Sequence, residues 1–225
     1  DGIMSEVTIV GNGPSRLSVD LDAIKHEVWG CNAIYRDTSA CDIVFAVDMP
    51  MQKELVESDY YRGNLVAFAD IEPLPIEMME IMKPGFEYSH EVIVTNKQDD
   101  TRPELIVTYN DPMLRNLFTG MSALGYAMIN DYTTINMVGF DALESDNFEN
   151  IYVGSENYLH KYSTGSQVLN AQRSQFIALL EWYYGKGSVY WQNPLDESDE
   201  IKYNELSYYE NSEEWILGQG LKSLI

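Results

Sequence analysis

Six short apolar blocks set the fold that this sequence can adopt. They are rich in β-branched and aromatic residues, and they read VTIV, EVWGC, DIVFAV, NLVAFA, TINMVG and GSVYWQ. Continuous rather than alternating hydrophobicity is typical of strands that are buried on both faces of a sheet. Between the blocks lie stretches with helical spacing, at residues 51–58, 75–82, 121–130 and 164–185. Strands that alternate with helices predict an α/β fold with a mainly parallel, Rossmann-like sheet flanked by helices.

The regular alternation breaks in two regions. Two extended runs, EVIVTN and ELIVTY, lie between Pro84 and Pro112 and enclose the polar sequence KQDDTRP. This pattern fits either a hairpin or an insertion at the edge of the sheet. Beyond Pro194 the chain is acidic and rich in tyrosine, and we expect a tail packed over the domain, with a last helix near residues 212–217.

Length and composition indicate one domain. The 225 residues are 45% hydrophobic, which is enough for one substantial core over residues 4–225, and residues 1–3 look like a cloning remnant ahead of Met4. No apolar run reaches the roughly 18 residues that a membrane span needs. Cys31 and Cys41 are too few for a disulfide scaffold, so we expect a cytoplasmic protein.

The charge balance narrows the class of partners. Fourteen basic and 36 acidic residues give a formal net charge of -22. Such a surface repels phosphate backbones, which argues against nucleic acids and anionic membranes as partners. A nucleotide ligand would therefore have to be met by local hydrogen-bond donors.

A glycine-rich turn directly follows the first apolar block. It consists of Gly11, Asn12, Gly13, Pro14 and Ser15. The turn has neither the spacing of the dinucleotide fingerprint nor the lysine of a P-loop. Its glycines allow close approach of the backbone to a ligand, and the Asn12 amide supplies both a donor and an acceptor. It is a candidate ligand cradle, or else a plain turn between a strand and a helix.

Polar residues also end the next two predicted strands. Ligands of open parallel sheets bind at the carboxyl ends of the strands. Asn32 follows the second strand, where it could hydrogen-bond a base or ribose, or cap a turn. Asp48 ends the third strand, where it could hold a ribose hydroxyl or a divalent metal, or cap the helix that follows.

Two more loops are expected at the same edge. Thr119 and Gly120 would start an apolar helix, so their backbone N–H groups form a ready anion site. The strand after that helix ends in VGFD, which contains Gly139 and Asp141. Asp141 is either a structural turn residue or a residue of the pocket.

His160 is a candidate general base. It lies just before the long helix and ends an irregular stretch, residues 142–160, that we expect to form a short lid. Tyr152 and Tyr158 lie in the same stretch. A histidine near a helix start can titrate near neutral pH and accept a proton, although a surface histidine without a role gives the same pattern.

Taken together, these motifs resemble a known family. IVGNGPS, WGCNAIY, DIVFAVDMP, FTGMSALGYAMI with VGFD eight residues later, a histidine before a long helix, and VYWQNP follow one another over nearly the whole chain. In order and spacing they resemble the bacterial sialyltransferases of glycosyltransferase family 42. The resemblance implies one nucleotide-binding domain of a variant GT-A type under a lid, CMP-sialic acid as donor, a glycan as acceptor, and no metal.

The resemblance also implies roles for individual residues of the binding site. By analogy Asn12 and Gly13 would contact the nucleotide, and Asn32 would contact the cytidine or the ribose. Thr119 and Gly120 would contact the phosphate or the sugar carboxylate.

The catalytic part of the resemblance is less complete. His160 would deprotonate the acceptor hydroxyl. In the family an aromatic pair follows the Gly-Ile-Asp motif, and tyrosine hydroxyls take the phosphate-stabilising role of a metal. Here Ala142 and Leu143 stand in that place, so Tyr152 or Tyr158 would have to substitute. The predicted lid is also short, which predicts an altered acceptor site.

Asp48 opens a second interpretation, because the family has Asn-Pro where this chain has Asp48-Met49-Pro50. The motility-accessory and pterin-diphosphokinase-like proteins pair a similar glycine turn with an Asp at the end of a later strand. In that interpretation Asp48 binds Mg²⁺ together with a nucleoside triphosphate. A third interpretation is a Rossmann-like shell that binds a nucleotide or a sugar without turnover.

Overall fold

A computed structural model describes residues 5–69, 93–99, 102–109, 117–143, 150–158, 166–183, 185–192 and 203–205. Over these ranges the strands are β1 (Glu6–Val10), β2 (Glu27–Cys31), β3 (Ile43–Ala46), β4 (Leu65–Ala69), β5 (Ile93–Asp99), β6 (Arg102–Tyr109), β7 (Thr134–Val138), β8 (Ser188–Gln192) and β9 (Tyr203–Glu205). The α-helices are α1 (Met49–Glu57), α2 (Thr119–Ile129) and α3 (Ser166–Tyr183). Short 3₁₀ helices cover Pro14–Ser18, Leu21–Ala23, Asn32–Arg36 and Asp141–Leu143.

The strands form one mainly parallel sheet. Their order is β5-β6-β4-β3-β2-β1-β7-β8-β9. From β6 to β8 every neighbouring pair is parallel, and β5 and β9 add antiparallel strands at the two edges. The chain runs outward from β1 through β2 and β3 to β4, and then returns to the other side of β1 with β7. This order is a doubly wound α/β arrangement. It confirms the predicted α/β fold with a mainly parallel sheet flanked by helices.

Most of the predicted elements are confirmed with small shifts of their ends. The six apolar blocks are the six strands β1 to β4, β7 and β8, and the two runs EVIVTN and ELIVTY form the hairpin β5-β6 at the sheet edge. The predicted helices at 51–58, 121–130 and 164–185 correspond to α1, α2 and α3. The predicted helices at 75–82 and 212–217 lie outside the described residues. Strand β9, which pairs with β8, was not predicted.

The core lies on both faces of the sheet. On one face α2 and α3 cover the strands, and their buried side chains include Leu124 and Phe176. On the other face α1 and the 3₁₀ helix Asn32–Arg36 pack over β2 to β4, where Ile34 and Leu55 are fully buried. In the described part of the chain no helix is both long and apolar enough to span a membrane.

The loops after β1 and β7 touch at two glycines. The Gly11 N–H donates to Val138 O at 2.8 Å, and the Gly13 N–H donates to Gly139 O at 2.8 Å. A Cβ atom at Gly11 would lie 2.6 Å from Gly139 O, and one at Gly139 would lie 2.5 Å from Gly11 O. Gly139 also has φ +75°, in the left-handed region. Only glycine allows the two backbones to approach this closely.

This contact predicts a stability difference between two glycines with similar backbone conformations. Gly154 has φ +90°, and a Cβ atom there would have no other atom within 4 Å. Gly154→Ala is therefore expected to cost only the strain of a left-handed residue, about 1–2 kcal/mol. Gly139→Ala adds a backbone clash, worth about 1–3 kcal/mol more. Urea unfolding of both variants measures the difference, and equal losses would show that the two loops separate without cost.

Candidate functional site

The predicted binding residues lie at the carboxyl edge of the sheet. The parallel register aligns Val10 of β1 with Gly30 of β2, so that Asn12 and Asn32 each come two residues later. Asp48 follows β3 by two residues, and Gly139 directly follows β7. Because β7, β1, β2 and β3 are parallel neighbours, the loops that follow them all lie at the carboxyl edge of the sheet.

Asp141 holds the glycine turn in place. Its side chain is buried, and one carboxylate oxygen accepts the Ser15 N–H at 2.9 Å. The other oxygen accepts the Ser15 hydroxyl in a short hydrogen bond. A Cβ atom at Gly13 would lie 2.6 Å from the Asp141 carboxyl carbon. Both oxygens of Asp141 are therefore engaged by the turn, which gives this residue a structural contact in addition to its predicted place at the pocket.

Asn12 is the most unusual polar residue of the turn. It is 7% exposed, and its Nδ2 donates to the main-chain carbonyl of Cys31 at 2.8 Å. This bond fixes the orientation of the amide, so that Oδ1 points away from Cys31. Oδ1 is buried and has no hydrogen-bond partner among the described residues. A buried acceptor without a partner loses about 1–3 kcal/mol relative to one that is hydrogen-bonded.

The side chain of Asn32 is hydrogen-bonded to the first residue of α2, so the start of this helix lies at the same edge of the sheet. It has φ +54°, a left-handed conformation that Asn adopts more readily than most residues. Its Oδ1 accepts the Thr119 hydroxyl at 3.2 Å. Thr119 is buried and is the first residue of α2, and Gly120 packs so tightly that a Cβ atom would lie 2.4 Å from the Phe140 ring. The first-turn N–H groups of α2 therefore lie beside Asn32.

Asp48 is exposed at the start of α1. Its main-chain carbonyl accepts the N–H groups of Met51 and Gln52, but its carboxylate makes no capping hydrogen bond. Partial desolvation raises the pKa of Asp48 above its ordinary value even though part of the side chain reaches solvent. No cluster of three His, Cys, Asp or Glu side chains suited to a metal occurs among the residues that the structure describes.

Tyr152 and Tyr158 lie in a docked segment, residues 150–158. Of the predicted lid 142–160, the structure describes this segment and residues 142–143, which are buried in a short 3₁₀ helix. The Tyr152 hydroxyl donates to Asp37 at 2.8 Å and accepts from Arg16 Nη2 at 3.2 Å. Desolvation and the bond to Asp37 raise the pKa of Tyr152, which Arg16 only partly offsets. Tyr158 is buried in the core on the α1 face. The structure therefore places both tyrosines in contacts with the protein.

The histidines and cysteines are the remaining candidates for reactive side chains. His160 lies outside the described residues, so its role as a base stays a prediction. His26 lies at the opposite end of β2, with Nε2 2.7 Å from the Thr8 hydroxyl. Burial raises the pKa of both free thiols, that of Cys41 to about 12, so neither Cys31 nor Cys41 is an activated nucleophile near neutral pH.

The sequence analysis did not predict the ion pairs of this region. Arg16 is 4% exposed and forms an ion pair with Asp37 at 2.8 Å. Arg36 pairs with Glu54 of α1 and reaches the 150–158 segment. These arginines belong to no recognisable sequence motif. Their partners lie 18 or more positions away along the chain, so each pair forms only in the folded protein.

Comparisons with known proteins find solved structures that are similar to this chain. No protein-family model matches the chain, and no curated protein matches it. The monofunctional α-2,3-sialyltransferase Cst-I from Campylobacter jejuni is 16% identical, with 87% of this chain and 77% of that chain covered and a TM-score of 0.49. The sialyltransferase CstII from Campylobacter jejuni with cytidine-5′-monophosphate is 16% identical over 85% of this chain and 81% of that chain, with a TM-score of 0.48. At these values the functional assignment depends on the residues of the site.

Proposed function

We propose that the carboxyl edge between β1 and β3 binds a nucleotide. We further propose that the protein is a glycosyltransferase that transfers a sialic acid or a related sugar from a CMP-linked donor to a glycan hydroxyl. The resemblance of its motifs to the bacterial sialyltransferases supports the choice of donor, and the geometry of the edge supports the nucleotide.

The buried Oδ1 of Asn12 carries this proposal. Its amide already donates through Nδ2, so that the atom left for a ligand is an acceptor. This acceptor atom can bind a ligand that has N–H or O–H groups. A cytidine nucleotide has both, in its exocyclic amino group and its ribose hydroxyls. Binding would satisfy a group that is otherwise left buried without a partner.

The start of α2 supplies hydrogen-bond donors, which complement the acceptor atom of Asn12. Its first-turn N–H groups and helix dipole favour an anion, and Thr119 and Asn32 fix that end of the helix beside the glycine turn. In a chain of net charge -22, such local donors are a means of holding a phosphate or a sugar carboxylate. Acceptor and donor groups on neighbouring loops match a nucleoside linked to a phosphate.

The proposed chemistry divides into two tasks. The acceptor hydroxyl attacks the anomeric carbon and loses its proton to His160 as the new bond forms. CMP leaves with the electrons of the broken glycosidic bond, and hydrogen-bond donors stabilise its phosphate. The backbone N–H groups of Thr119 and Gly120 are the proposed donors, with Tyr158 or Tyr152 as further candidates. Tyr152 would have to exchange its bond to Asp37 for one to the phosphate.

Asp48 supports a second candidate function, a Mg²⁺-dependent diphosphokinase-like activity. Its carboxylate lies at the carboxyl end of β3 and is not used to cap α1. Such an oxygen ligand suits Mg²⁺, which is commonly bound through one or two carboxylates together with substrate phosphates.

We expect CMP to stabilise the protein in the absence of any divalent metal. At 100 times its dissociation constant a ligand adds about 2.7 kcal/mol to the free energy of unfolding, or roughly 5–10 °C in the melting temperature of a domain this size. Thermal melts in EDTA with CMP, cytidine or ATP, and a parallel melt with ATP and Mg²⁺, measure this shift. A shift that appears only with ATP and Mg²⁺ would contradict the CMP proposal and favour the diphosphokinase.

Asn12→Ala should weaken CMP binding by roughly tenfold or more, because it removes the acceptor that the ligand would satisfy. Isothermal titration calorimetry measures the affinity, and near-UV circular dichroism checks that the variant is folded. Asn130→Ala is the matched control, since the Asn130 amide also donates to a main-chain carbonyl, at 2.8 Å, but on the exposed surface. Equal CMP affinities in both variants would remove Asn12 from the site.

His160→Ala should lower the release of CMP from CMP-sialic acid in the presence of a glycan panel by roughly 100-fold or more, while CMP binding is retained. Coupled detection of CMP measures the rate. His26→Ala is the control, because His26 lies at the amino end of β2, away from the proposed site. Undiminished turnover in His160→Ala would exclude His160 as the base.

A further inference from the structure

Arg36 ties three parts of the fold together. It ends the 3₁₀ helix that begins at Asn32, and its Nε and Nη2 donate to the two carboxylate oxygens of Glu54 on α1, each at 2.7 Å. Its Nη1 donates to the Ser155 hydroxyl at 2.7 Å, and Nη2 also reaches the main-chain carbonyl of Glu156 at 3.0 Å. One guanidinium therefore joins this 3₁₀ helix, α1 and the 150–158 segment.

Glu54 is well suited to hold this guanidinium. It also accepts the Tyr35 hydroxyl and the side-chain amide of Asn157, which lies in the same segment. Partial burial on its own would raise the pKa of Glu54, but the bonds from Tyr35, Arg36 and Asn157 outweigh it and lower the pKa below its ordinary value. The carboxylate is therefore charged near neutral pH and forms a bidentate pair with Arg36.

A chain of hydrogen bonds leads from Arg36 to the glycine turn. The Ser155 hydroxyl, which accepts from Arg36, donates to the main-chain carbonyl of Tyr152 at 2.7 Å. The neighbouring residue, Ile151, donates its N–H to the main-chain carbonyl of Asn12 at 3.0 Å. Within the described residues, the hydrogen bonds of Arg36 go to Glu54 and to the 150–158 segment rather than to the turn. The segment therefore provides a hydrogen-bonded route from Arg36 to the main chain of Asn12.

We propose that Arg36 is a positioning residue that holds the 150–158 segment against the sheet, and through Ile151 fixes the main chain of Asn12. With Cys31 holding the Asn12 side chain and Ile151 holding its backbone, the buried Oδ1 is kept in one orientation. The structural part of this proposal is independent of the ligand. Its consequence for nucleotide affinity rests on the proposed function.

Amide hydrogen exchange tests the structural part without any ligand. In Arg36→Met we expect the amides of Ile151 and Ser155 to exchange roughly tenfold faster or more, while those of α2 and β7 keep their rates. Arg36→Lys retains the charge but not the bidentate geometry and should lie between wild type and Arg36→Met. Arg62→Met is the control, since Arg62 pairs with the exposed Asp59. Unchanged exchange at Ile151, or faster exchange throughout the sheet, would overturn the proposal.

Ser155→Ala provides a smaller change. It removes the hydroxyl between Arg36 and Tyr152 but leaves the pair of Arg36 with Glu54. If Arg36→Met does not fold, faster exchange at Ile151 in Ser155→Ala supports the proposal, and unchanged exchange there contradicts it.

The affinity for CMP tests the link to the site. We expect Arg36→Met and Ser155→Ala to weaken CMP binding roughly three- to tenfold, with Arg36→Lys partly restoring it, in the same order as their exchange rates at Ile151. Faster exchange with wild-type affinity would refute the coupling to Asn12. If wild-type protein does not bind CMP at all, the proposed function fails, and exchange at Ile151 alone decides whether Arg36 positions the segment.

Discussion

The close contact between the loops after β1 and β7 is the constraint on which the site depends. β1 lies at the point where the chain reverses direction across the sheet, and in open α/β sheets a ligand crevice commonly opens there. Here Gly11 and Gly139 bring the two backbones together, and Asp141 binds both the N–H and the hydroxyl of Ser15. The loops are thereby tied to each other, and the polar groups left for a ligand lie on the β2 and β3 side.

This arrangement offers groups of opposite polarity within a strongly acidic chain. Asn12 presents an acceptor, whereas the first turn of α2 presents donors and the positive end of a helix dipole. A ligand that combines hydroxyl or amino groups with an anion satisfies both. The net charge of -22 does not prevent such binding, because helix N–H groups act at short range and solvent and salt screen distant surface charges.

The strands and the glycine turn could be predicted from the sequence because their causes are local. Continuous apolar blocks mark buried parallel strands, and GNGPS marks a turn wherever it occurs. The role of Asp141 in holding that turn could not be predicted, because Ser15, its partner, is 126 positions away. The contact of Arg36 with Ser155 could not be predicted either, because the two residues are 119 positions apart in the sequence. In the described part of the chain β9 has three residues, too few for a periodic pattern, and it pairs with β8 at the edge of the sheet.

The 150–158 segment changes how closure over the site should be understood. A lid that opens widely would have to expose Tyr158, which is buried in the core, and break the bidentate pair of Arg36 with Glu54 or its bonds to Ser155 and Glu156. Buried aromatic surface and charge-assisted hydrogen bonds together oppose such a motion. The segment is better described as a fixed wall that holds the main chain of Asn12 in place before a ligand arrives. Preorganisation of this kind reduces the ordering cost of binding, so that a small set of polar contacts is enough to hold a ligand.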